Sequence, residues 1–350
     1  ELPEVGVWSA VEQADGAGGA GRWFTYNPDH THYLLPIYTG SQTANIVELR
    51  SRNPEYSSYI GHQRTALRAL DPTYKPGESL ALLDCRYIDL PIKLFDYRGD
   101  ASAFTDGVDL LRADPLLEIV HERQWNEMDA SYHALRANSN VNKAGASNGI
   151  AQVVFRNRVH RPAVISHKTV LITGASEAGQ KLFEKITHLQ HYRAHVILYV
   201  LGDGQLIAGE DPPVFDACIP AAGGPSPAGL AVWDMRDLAA EYARLADADI
   251  VEPSIVFEAA ERLEIALPAN TPGRFLFLAR QRFRDWHAFD ASGTELTIFK
   301  AAAGLTAIWV PAGVEKMIYQ YGVPVAEQFA RIFSLLSFAG ALVWCQWRRK

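Results

Sequence analysis

The sequence predicts an α+β chain: an N-terminal α/β domain, then an antiparallel β-sandwich, then one C-terminal transmembrane helix. Three observations predict it. Residues 168–200 alternate strand, helix and strand patterns. Residues 272–321 hold short alternating apolar runs broken by Gly and Pro turns. Ile332–Trp347 carries no charge and is followed at once by Arg348-Arg349-Lys350.

Length and composition set the frame. The chain of 350 residues is long enough for two domains with their own cores. A net charge of −7 leaves no basic surface for a nucleic acid. Charged residues make up 21% of the chain, so most of it is expected to be soluble. Cys85, Cys218 and Cys345 lie too far apart in sequence to form a metal-binding cluster. A Cys85–Cys218 disulfide is one alternative, and two buried free thiols are the expectation. The chain begins at Glu1 rather than Met, which allows a trimmed start, and no signal peptide is read in it.

Taken in order, residues 1–21 read as a flexible Gly/Ala-rich arm with too little apolar surface to order itself. The α/β domain is placed over 22–210. In it His30 and His32 would share one face of a strand, where a metal could use both, but no third ligand stands at a diagnostic spacing. The alternative is a polar loop before Tyr33-Leu34-Leu35. Strands are expected at Cys85–Leu90, Leu116–Val120 and Ile150–Phe155, with a loop at Asn138–Asn148. Arg156-Asn157-Arg158 closes the last of these strands, as a solvated end or as a contact for lipid headgroups.

The β-α-β unit follows, with strand Thr169–Ile172, helix Glu177–Leu189 and strand His195–Leu201. Its first turn, Thr173-Gly174-Ala175-Ser176-Glu177-Ala178-Gly179-Gln180, resembles the opening of the short-chain dehydrogenase fingerprint. Glycines at such a turn let a pyrophosphate approach backbone N–H groups at a helix N-terminus, so Gly174 and Gly179 are candidate cofactor-binding residues. Gln180 stands where the last glycine belongs, and no Tyr-x-x-x-Lys pair occurs for proton relay. The competing reading is a tight strand-to-helix turn, and no cofactor is expected. Residues 211–249 read as a Pro/Gly-rich linker and a helix, Met235–Ala246, capped by Asp234, with Leu238, Tyr242 and Leu245 on one face.

The β-sandwich is placed over 250–322. Leu276 and Leu278 alternate with Phe275 and Phe277, so both faces of that strand are apolar and it should sit between two layers. Trp286 and Ala288 share one face of the next strand, and His287 and Phe289 the other. Asp290–Gly293 and Pro311–Gly313 are turns. The expected core residues are Trp286, Phe289, Ile298, Trp309 and Tyr319, with Trp286 buried between the sheets. Residues 323–350 read as the anchor. Its uncharged run would span about 24 Å as a helix against roughly 30 Å of hydrocarbon. Arg331 could snorkel, Trp344 and Trp347 suit the interface, and Arg348, Arg349 and Lys350 would lie in the cytoplasm. That orientation puts the bulk of the chain on the periplasmic side of the cytoplasmic membrane. A buried core helix is the alternative for this run.

The order Trp286-x-Ala288-x-Asp290-x-x-Gly293, a strand, Val310-Pro311-Ala312-Gly313 and a Tyr-ended strand resembles the extracytoplasmic β-domain of YfhO-type multi-spanning membrane proteins. That family is related to envelope glycosyltransferases. The similarity is clearest over 251–350, with a fainter one over 81–200 at Asp84–Ile88 and Val154–Arg158. Arg284-Asp285 stands where the family has Pro-Gly. The resemblance implies a fold and a topology, with the β-domain leading into a final transmembrane helix. The family's multi-helix portion is not in this sequence, so no catalytic residue carries over.

No nucleophile with its base, carboxylate pair or metal set stands at a recognisable spacing. Three function classes remain. The first is a non-catalytic, membrane-anchored subunit docking on a larger membrane-protein assembly, with respiratory and photosynthetic complexes or envelope-assembly factors as examples. The second is an NAD(P)-dependent oxidoreductase built on the Thr173–Gly179 turn. The third is a glycan-binding accessory of envelope glycosyl transfer. The first is the expectation, with a membrane protein complex and the bilayer as partners.

Overall fold

A computed structural model describes residues 3–14, 22–26, 42–43, 53–91, 102–125, 149–202, 213–259, 261–269, 272–283, 285–322 and 337. It is mixed α/β and predominantly β. The N-terminal elements are α1 (Pro3–Ala14), β1 (Arg22–Thr25), β2 (Gln42–Thr43), α2 (Pro54–Arg68), α3 (Pro76–Ala81), β3 (Cys85–Pro91), α4 (Ser102–Arg112), β4 (Leu117–Gln124) and β5 (Ile150–Asn157). The middle holds β6 (Ala163–Ile165), β7 (Lys168–Thr173), α5 (Ser176–Ile186), β8 (Ile197–Gly202), β9 (Ala217–Pro220), β10 (Ala231–Val232) and α6 (Met235–Arg244). The remaining strands are β11 (Ser254–Ala259), β12 (Arg262–Ala266), β13 (Arg274–Gln281), β14 (Trp286–Asp290), β15 (Glu295–Leu296), β16 (Ile298–Ala301), β17 (Leu305–Val310) and β18 (Lys316–Tyr321).

Three sheets form. The first runs β2-β1-β3-β5-β4, the second β10-β9-β7-β8-β16-β17-β13-β6, and the third β11-β12-β18-β14-β15. In the second sheet β10, β9, β7 and β8 are parallel, and from β8 onward every neighbour is antiparallel. The two-faced strand sits between layers. Phe275 and Phe277 enter the large core under α2 and α5, and Leu276 and Leu278 enter a second core against the third sheet.

That topology crosses the expected boundary near residue 250. β16, β17 and β13 belong to the same sheet as β7 and β8, so the second sheet draws strands from both expected domains. The reason is burial. β8 is apolar on both faces and needs a neighbour on each edge, and Lys300-Ala301 of β16 pairs with Leu201-Val200 to supply one. The stretch read as a linker contributes a strand. Ala217, Cys218 and Ile219 are buried beside β7, where they extend the parallel sheet. Within the expected arm, Pro3–Ala14 is a helix. Val7, Trp8 and Val11 lie on one face of α1 and pack with Trp23, Tyr87 and Val154, while Glu12 accepts from the Trp23 indole N–H at 2.7 Å.

Other expectations meet their residues. Asp234 caps α6, accepting from the backbone N–H groups of Arg236 and Asp237, and Leu238 and Tyr242 are buried beneath it. Cys85 and Cys218 are buried free thiols. His30, His32 and Cys345 lie outside the described residues, as do Arg331, Trp344, Trp347, Arg348, Arg349 and Lys350 of the expected anchor. Among the described residues no helix is long and apolar enough to cross a membrane.

The five expected sandwich-core residues divide. Tyr319 is buried and Ile298 packs half-buried on the same core. Trp309 alternates with Ile308 and Val310, so it faces the other way and packs on Phe275 at 5.1 Å between ring centroids. Phe289 shares the outer face of β14 with His287 rather than the core face of Ala288. Trp286 is half-buried at the end of its strand, stacked on Tyr319 at 4.7 Å. Half-burial lowers its expected worth. Trp286→Ala should cost about 1–2 kcal/mol in urea unfolding, against about 3–5 kcal/mol for a fully enclosed aromatic. A loss above about 3 kcal/mol would mean the indole seals the core.

Candidate functional site

The turn after β7 follows from its residues. β7 ends at Thr173, Gly174 takes φ +105°, and α5 begins at Ser176. A side chain at Gly174 would meet the Ala221 carbonyl at 2.5 Å, and one at Gly224 would meet the Thr173 backbone at 2.6 Å. The loop after β9 thus lies against this turn backbone to backbone, held by Ala221 N–H to Thr173 O and by the Thr173 hydroxyl to Pro225 O. Gly179 lets α5 settle onto Ile172 and Leu201. Both candidate glycines therefore have a packing reason within the chain itself.

Gln180, where a third glycine was missing, has a structural task. Its side-chain carbonyl accepts from Ala303 N–H at 2.8 Å. Ala303 and Gly304 take φ 59° and 65° in the turn joining β16 to β17. The Asn53 amide, at the N-cap of α2, donates to Gly304 O at 2.5 Å. Two distant segments thus hold one left-handed turn against α2 and α5.

Beside the Gly174 turn lies a cavity of about 450 Å³. It opens at the carboxyl ends of β7 and β8, where the parallel order gives way to antiparallel β16. Ser176, Leu201, Arg282, Thr297, Phe299 and Lys300 are among the residues that line it. Glu55, on the first turn of α2, reaches the Ser176 hydroxyl at 2.5 Å and the Lys300 ammonium at 3.0 Å. Lys300 stands 3.4 Å from the same hydroxyl. Burial alone would raise the Glu55 carboxyl, but bonds from Ser176 and Lys300 outweigh it and hold it below the ordinary value. A carboxylate held ionised against an ammonium is a poor base, so Ser176 is anchored rather than activated. Sequence reasoning singled out Gly174 and missed Glu55, Arg282 and Lys300, since no local spacing links positions so far apart.

Two further features stand apart from the cavity. His62 Nε2 and His188 Nε2 meet at 2.9 Å between α2 and the end of α5, and the Thr73 hydroxyl lies 2.7 Å from His188 Nδ1. Among the described residues no group of three or more His, Cys, Asp or Glu is placed to hold a metal. The other feature is β11. Among the described residues it pairs only with β12, at one end of the third sheet, and Val256 and Phe257 are 61% and 48% exposed on it. Comparison of the chain with protein-family models, curated proteins and solved structures finds no match.

Proposed function

We propose that this protein is a non-catalytic module that works by contact, anchored in the cytoplasmic membrane and docking from the outer face on a larger membrane-protein assembly. The observation that carries the reading is the edge strand β11, with its adjacent apolar residues Val256 and Phe257 turned to solvent. An edge strand offers a row of backbone donors and acceptors, and exposed Val and Phe beside it add apolar area. The proposed occupant is an extended segment of the membrane partner, pairing along β11. Two sequence features support the membrane setting: the resemblance of 251–350 to the outer β-domain of YfhO-type proteins, and the uncharged run before Arg348. Tethering raises the effective concentration near an embedded partner, so a modest edge contact suffices.

The test is co-purification from native membranes in mild detergent. The intact chain is expected to bring down a partner at near-stoichiometric ratio. Ending the chain at Glu327 should weaken association by orders of magnitude, and an unrelated single-pass helix should restore much of it. Val256→Lys with Phe257→Lys should reduce recovery without changing the melting curve. An intact protein that runs alone, with no cross-linked neighbour in the membrane, would overturn the reading.

A further inference from the structure

We infer that the cavity between β7, β8 and β16 binds a small organic anion, with a carboxylate or phosphate head against Arg282 and an apolar body against Leu201, Ile298 and Phe299. The cavity lining shares no residue with β11. Among the cavity-lining cations Lys300 is matched, since its ammonium lies 3.0 Å from the buried carboxylate of Glu55. Arg282 is not. Its backbone N–H bonds to Gly304 O, but its Nε is buried without a hydrogen-bond partner, and no carboxylate among the described residues forms an ion pair with it. Among the described residues, Arg282 and Lys300 against Glu55 leave the lining with one uncompensated positive charge.

An arginine is never neutral at ordinary pH, so a buried Nε–H with no acceptor is costly until something supplies one. A guanidinium offers paired donors that match the two oxygens of a carboxylate or phosphate. The remaining polar groups suit the same guest. Ser176 and Thr297 are among the lining residues. The first turn of α5 also faces it, and its N-cap, Ala175, has no side-chain acceptor for those N–H groups. The volume, about 450 Å³, is that of a site for a small organic molecule rather than a bare ion. Leu201, Ile298 and Phe299 give the body of such a molecule an apolar wall. The same geometry assigns Glu55 a positioning role: it fixes Lys300 and Ser176 at the cavity wall.

The experiment titrates the full-length protein with benzoate, phenyl phosphate and benzyl alcohol, followed by calorimetry. At least one of the two anions should bind with a dissociation constant below about 1 mM, and neutral benzyl alcohol at least tenfold more weakly. Which anion binds tighter identifies the head group. Arg282→Gln should weaken the anion at least tenfold and leave benzyl alcohol unchanged. Thr297 is exposed at the rim, so Thr297→Trp should block the cavity while the protein still melts as the parent does. This second variant decides the matter if Arg282→Gln does not fold. Absence of saturable binding by either anion overturns the proposal. So does binding that survives Thr297→Trp, or benzyl alcohol binding as tightly as the anions.

Discussion

A chain ending at Asp249 is expected not to fold. The cut removes β16, so β8 loses the neighbour that pairs Leu201 and Val200 with Lys300 and Ala301. It removes β13 as well, leaving β6 with no strand to pair with in the second sheet. The larger loss is in the core. Phe275, Phe277, Phe299, Leu305 and Ala307 share one core with Tyr59, Phe183 and Tyr199 from the N-terminal side. Phe275 lies 5.1 Å from Phe215, and Phe277 lies 5.6 Å from His195, between ring centroids. Losing two enclosed phenylalanines costs about 3–5 kcal/mol each, comparable to a typical net stability of about 5–15 kcal/mol. The fragment should lack near-ultraviolet circular dichroism and show no cooperative melt. A fragment of residues 1–249 that melts cooperatively would show that the expected boundary near residue 250 separates true domains.

Acid is expected to destabilise the protein through His195. This side chain is buried, both ring nitrogens lack hydrogen-bond partners, and its ring packs edge-on against Phe277. Burial pushes its pKa down to about 3, and the nearby Arg161 charge adds to the fall. In the unfolded chain an ordinary histidine titrates near 6.5. Below about pH 6.5 the unfolded chain takes up a proton that the folded chain refuses, so stability falls as pH drops toward 3. The slope approaches about 1.4 kcal/mol per pH unit, or about 3 kcal/mol lost between pH 6.5 and 4. Carboxylates add their own acid dependence, so the measurement is a difference. Urea melts of the parent and of His195→Leu should diverge as pH falls from 7 to 4, with the variant losing less. Parallel curves would mean that His195 reaches water or a partner when protonated.

The local pieces were legible in the sequence. The two-faced strand around Phe275–Leu278, the strand-turn-helix at Thr173–Ser176 and the Asp234 cap all rest on interactions within a few residues. Periodicity and turn chemistry carry such information because side-chain direction and allowed φ are set locally. The Val7, Trp8 and Val11 face of α1 was legible by the same rule, although the glycines that follow it point to a flexible arm.

The candidate site was not legible, nor was the way the sheets join. Glu55, Ser176 and Lys300 meet, and Arg282 lines the same cavity, because α2, α5, β16 and the segment that follows β13 converge on one end of the second sheet. No spacing between residues 55 and 300 encodes that. Gln180 shows the difference at a single position. By sequence it is a glycine missing from a cofactor turn, and in the fold its side chain satisfies Ala303 across the sheet. Strand order is likewise a long-range choice. Backbone hydrogen bonds are nearly the same for any partner, so the pairing of β8 with β16 is decided by which apolar faces can be covered together. The sequence alone determined the strands, turns and caps. The tertiary structure decided that they form one sheet across two expected domains, and that Arg282, its Nε buried without a hydrogen-bond partner among the described residues, lines the cavity where that sheet changes direction.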